Sequence, residues 1–145
     1  MATREEALAA IAARLAAQVP TATVERARRA PVELENETLP RLVLAGTDWA
    51  ADETAEPLIV HYTLSFAVTG YVVARSDLLT EQALGALHAL VVAALSGWTP
   101  ATAGLAVPVE EGAEFGLYDT EDSTKPAGDF TARFSMLCLS AIGNG

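Results

Sequence analysis

Side chains able to do chemistry are few in this sequence. Histidine occurs at His61 and His88, and cysteine only at Cys138. A metal site needs two or three ligands at helical i,i+4 or hairpin spacing. The two histidines are separated by a strand, a turn and half a helix, so each reads as a surface residue. A nucleophilic cysteine needs exposure and electropositive surroundings, whereas Cys138 alternates inward with Met136 and Phe134 and reads as core. Serine catalysis on a strand–turn–helix elbow takes G-x-S-x-G, which Ser65, Ser76 and Ser96 all lack. Neither a G-x-G-x-x-G nor a Walker A phosphate cradle is present. Asp48, Asp52, Glu53 and Glu56 miss the calcium-loop spacing. Asp119, Glu121 and Asp122 read as a solvated hairpin tip. The residues therefore predict no catalytic group, no metal ligand and no cofactor.

Arg26, Arg28 and Arg29 form the one concentrated basic feature. On a strand, Arg26 and Arg28 point together and Arg29 points away. Two readings stay open. Charge on a solvated edge strand discourages aggregation, and arginine also suits interface ion pairs with an acidic neighbour. Trp49 and Trp98 are placed in loops, where each either covers the edge of the core or anchors an interface.

The charge of the chain is unevenly spread. Its 145 residues (15.2 kDa) suffice for one domain, spanning 1–145, and carry a formal charge of −10. Residues 1–45 hold six acids and six bases, so the whole deficit lies after residue 45, much of it at 48–56 and 110–122. This balance disfavours a generic nucleic-acid binder, whose footprint is basic. A single cysteine excludes a disulfide scaffold. An arginine-bearing first third and an acidic remainder could instead meet head to tail, which builds rings or filaments. The N-terminus is acidic where a signal peptide is basic. The stretch 82–109, free of Asp, Glu, Lys and Arg, is broken by Gly97, Pro100 and Gly104. That leaves about 13 helical residues against the roughly 20 that cross a bilayer. A cytosolic, soluble protein with no membrane partner is expected.

Periodicity then supplies the elements. Thr3-Arg4-Glu5-Glu6 is a capping box. Leu8, Ile11, Leu15 and Val19 follow at helical spacing up to Pro20, predicting a helix over 4–18. Residues 21–28 read as a strand, 41–45 as a short strand and 46–57 as a long polar loop. In the strand 58–73, Tyr62, Leu64, Phe66 and Val68 share one face, with Gly70 as a candidate bulge. Ser76 or Asp77 caps a helix to about 96, whose stripe Leu84, Leu87, Val91 and Leu95 is widened by Leu79, Ala83, Leu90 and Ala94. Gly97 stops it. Residues 107–118 and 129–140 form a hairpin, with Phe130, Ala132, Phe134, Met136 and Cys138 inward. The fold class is α+β: a mainly antiparallel sheet of four to five strands with two helices on one face, a two-layer sandwich.

The block Val24-Glu25-Arg26-Ala27-Arg28-Arg29-Ala30-Pro31-Val32, directly after a short Ala-rich helix, resembles the small tail proteins of long-tailed bacteriophages and prophages. So does the later order of a long alternating strand around His61-Tyr62, an Ala/Leu-rich helix and a terminal hairpin. Over nearly its whole length the chain is similar in architecture to the tail terminator (tail completion) class of minor tail proteins. The resemblance implies a hexameric ring that caps the tail tube, stops its elongation and joins it to the head connector. The implied partners are further copies of the chain, the tail tube protein and head–tail connector proteins, with DNA only as passing cargo in the lumen. The implied location is the virion tail or neck, after assembly in the host cytoplasm. The candidate subunit or tail-tube interface then comprises Arg26, Arg28, Arg29, Asp48, Trp49, Asp52, Glu53, Tyr118 and Asp119. Two alternatives stand beside it: a small ligand-binding or acyl-transfer-type α+β enzyme domain, and another head–tail connector or minor tail component.

Overall fold

Helix α1 (Arg4–Gln18) starts where Thr3 accepts a hydrogen bond from the Glu6 N–H, and it buries Ala7, Leu8, Ile11 and Leu15. The Glu6 carboxylate returns to the Thr3 hydroxyl at 3.2 Å. The computed structural model describes residues 2–29, 32, 39–52, 59–119 and 125–141. The strands are β1 (Thr23–Arg26), β2 (Arg41–Asp52), β3 (Ile59–Val73), β4 (Val109–Asp119) and β5 (Pro126–Ala141); helix α2 (Asp77–Leu95) lies between β3 and β4. They form one sheet of order β1-β2-β3-β5-β4. Only the β1–β2 pairing is parallel; the other three are antiparallel. The sheet is therefore mixed and mainly antiparallel, in the expected α+β class.

A single core lies between the helices and one face of the sheet. Leu64, Phe66 and Val68 of β3 and Phe130, Ala132, Phe134, Met136 and Cys138 of β5 are buried there with Leu84, Leu87, Val91 and Leu95 of α2. Phe66 and Phe134 stack at 5.3 Å. Helix α2 is capped by Ser76, whose hydroxyl accepts from the Leu79 N–H, and it ends before Gly97 at φ +76°. At 19 residues it is longer than the charge-free stretch suggested. By length and composition it could cross a membrane, but here its apolar stripe is buried on the sheet. Leu79 and Leu90, expected to widen that stripe, are exposed.

Three strand readings are corrected. First, β2 continues to Asp52, so Trp49 lies on a strand, not in a loop. A bulge between Gly46 and Asp48 reverses the inward parity: Leu42, Leu44 and Gly46 face the helices before it, and Trp49, paired with Leu64, after it. The break in alternation is what made this stretch read as loop. Second, β1 stops at Arg26, because Ala27 takes a left-handed φ of +53°. Third, Gly70 is no bulge. It pairs in register with Leu42 and Phe130, and its missing side chain makes room for the Phe130 ring.

Candidate assembly surfaces

The arginine cluster does not form one patch. Arg26 reaches from β1 to Glu5 of α1 through two hydrogen bonds, at 2.7 and 3.0 Å. These bonds, then the guanidinium charge, hold the Glu5 carboxyl below the usual carboxylate range. Arg28 turns back to Glu25 at 2.8 Å, and Glu25 also accepts from Arg41 at 3.2 Å. The left-handed Ala27 breaks the two-residue alternation that would have aligned Arg26 with Arg28. Arg29 is exposed. The expected shared face is therefore replaced by two local clasps that tie β1 to α1 and β2.

The other candidate residues lie at opposite ends of the strands. Asp48 is exposed beyond the β2 bulge, and Trp49 stacks on Tyr62 at 4.5 Å. Asp52 pairs through its backbone with His61. Tyr118 and Asp119 pair with Ala127 and Pro126 at the far end. Glu53, like Glu121 and Asp122, lies outside the described residues. Tyr118, Tyr71 and Asp129 gather there on the sheet face away from the helices. Burial, then the Asp129 charge, pushes the Tyr118 phenol up to about 12 and raises Tyr71 as well. Burial also raises Asp129. Nearer the sheet centre this open face carries small uncharged side chains, among them Ala45, Ser65, Ala67, Thr69, Thr131 and Ser135. Arg133 on the same face is tied to Glu114 at 2.9 Å.

His88 is half-buried, not a surface residue. Its Nε2 lies 2.7 Å from Glu110 of β4, and its ring meets Phe115 and Phe130 edge-on at 5.3 and 5.4 Å. Sequence separation hid this pair, since the partner sits 22 residues away on the edge strand. Beside it, between α2 and β4, lies an open groove of about 460 Å³ lined by Glu81, Leu84, Gly85, Phe115, Gly116 and Leu117. Phe115 and Leu117 are 53% and 46% exposed, and Val109 on the same strand 60%. Sequence reading assigned these residues to a hairpin without marking them as functional; apolar side chains on an edge strand were the available signal. Cys138 is buried, which pushes its thiol up to about 11. Among the described residues no group of three or more His, Cys, Asp or Glu side chains is placed to hold a metal ion.

The architecture matches a solved one. A chain of the virion of the native gene transfer agent (GTA) particle superposes with a TM-score of 0.52 at 17% identity, covering 90% of this chain and 93% of that one. The two chains share a fold. No protein-family model matches the sequence, and no curated protein matches it.

Proposed function

We propose that this chain is a structural subunit of a phage-like particle, and within it a tail terminator. In this reading it forms a ring that caps the tail tube, stops its growth and joins it to the head connector. The observation that carries the reading is the whole-chain likeness to a chain of the GTA virion. A ring needs two unlike surfaces that repeat around a closing axis. The opposite edges of this sheet supply them: one clasped by arginines, the other acidic and apolar. The small uncharged side chains at the centre of this sheet face, with Arg133 engaged by Glu114, suit a wall that DNA slides past, because phosphates are held chiefly by lysine and arginine. Growth is stopped mechanically, by occupying the end of the tube, so no covalent step is involved. In this reading Arg29, Asp48, Trp49 and Tyr118 belong to the subunit or tail-tube interface.

The test is removal of the coding sequence from a genome that produces the particles, followed by electron microscopy. The expected result is tubes of uneven, excessive length without heads. Tails of normal length joined to heads would overturn the terminator role. Light scattering of the purified chain should give a ring near 91 kDa, about six times 15.2 kDa.

A further inference from the structure

Strand β4 is blunted at its start by Glu110, Glu111 and a bulge before Gly112, but its second half is apolar. Exposed edges are normally blunted by charge, proline or brevity, because their free backbone groups recruit other strands. This edge is 11 residues long and, among the described residues, pairs with β5 alone. It exposes Val109, Phe115 and Leu117, and α2 adds the 63% exposed Leu78. In the groove beside it Gly85 carries no side chain, and a Cβ there would meet nothing within 4 Å. The surrounding charge is acidic. Glu110 is held by His88 and Glu114 by Arg133, while Glu81 and Glu111 are exposed to solvent.

At the opposite edge the balance among the described residues is reversed. Around β1 stand Arg4, Arg26, Arg28, Arg29 and Arg41 against Glu5, Glu6 and Glu25. We infer that the β4 edge and its groove receive the arginine-bearing β1 edge of a second copy of this chain, continuing the sheet from subunit to subunit. The ring reading above requires such an unlike pair of surfaces, and the inference rests on it. Two β4 edges facing each other would instead set Glu111 and Glu114 against like charges, which directly opposed strands disfavour. The apolar side chains supply the buried area and the charges fix which edge is accepted.

The experiment uses light scattering and sedimentation of the full chain, with folding checked by circular dichroism. Phe115→Asp blocks the acceptor edge, and Leu117→Asp serves in its place should that variant unfold. Arg29→Glu impairs the donor edge. Phe115→Asp should weaken self-association by about 100-fold or more, and Arg29→Glu by about 10-fold. A 1:1 mixture of the two variants should associate more tightly than Phe115→Asp alone, because the Phe115→Asp chain keeps its donor edge and the Arg29→Glu chain its acceptor edge. Wild-type mass in the Phe115→Asp variant, full assembly of Arg29→Glu, a mixture no tighter than Phe115→Asp alone, or a monomeric wild-type chain would each overturn the inference. Normal tails in particles lacking the chain would refute the terminator role while leaving the measured association standing, so the two failures are distinct.

Discussion

Replacing Gly70 by alanine probes how tightly the sheet and α2 share the core. A Cβ at this position would overlap the Phe130 ring, with Cζ at 2.6 Å and Leu87 Cδ2 at 3.0 Å. Phe130 is fully buried and cannot swing into solvent. Forcing a methyl into a filled core costs about 1–3 kcal/mol, and the ring overlap puts this site at about 2–3. Unfolding entropy of about 2.1 cal/mol/K per residue amounts to roughly 0.3 kcal/mol/K for a chain of this length. Gly70→Ala should therefore lower Tm by about 7–10 °C. Gly85→Ala is the control: it lies inside α2, exposed, with nothing within 4 Å of a new Cβ. There alanine should stabilise by about 0.5–1 kcal/mol, or roughly 2–3 °C, through helix propensity. Both are read by thermal melts at one protein concentration, since association also shifts Tm. Equal melting temperatures for Gly70→Ala and the parent would show that Gly70 is not the seat of Phe130.

Three further outcomes are expected. Asp129→Asn should raise stability at pH 7 and leave it unchanged near pH 3. The Asp129 carboxyl is raised by burial, so its contribution to stability is lost as pH rises through the carboxylate range; a destabilised Asn variant at pH 7 would contradict this. Cys138 should resist a thiol reagent at pH 8 in the native chain and react fully in guanidinium chloride, because the thiol is enclosed and its ionisation pushed up to about 11. Rapid native labelling would mean that β5 opens. Arg26→Glu should lower Tm more than Arg29→Glu, since it places like charge against Glu5 where a two-bond clasp stood; equal melts would show that the clasp does not hold β1.

Much of the fold was legible because the strongest signals were local. The capping residues Thr3 and Ser76, the inward alternation of β3 and β5, and the stop at Gly97 each follow from a few adjacent side chains. What was hidden depended on partners distant in sequence. The second half of β2 alternates in the opposite phase after its bulge, and only pairing with β3 shows it as strand. Gly70 looked like a break because glycine weakens strands; its reason for being there, Phe130, stands 60 residues later. The arginine cluster was visible as composition, but a single left-handed residue, Ala27, decides where its side chains go.

That last difference changes what the arginines mean. Read as a strand face, Arg26 and Arg28 would be free charges waiting for a neighbour. In the folded chain they are engaged by Glu5 and Glu25, so reversing them would damage the subunit before it tested any interface. Recognition must then come from the excess of arginine around the β1 edge, with exposed Arg29 as its accessible member, and from apolar area at the other edge. Electrostatics of this kind guides encounter and register more than it supplies affinity. Affinity would rest on Phe115 and Leu117 beside the groove and on Val109 of the same strand, which a monomer leaves in water. A groove beside apolar side chains that an edge strand leaves in water is what a surface completed by another chain requires.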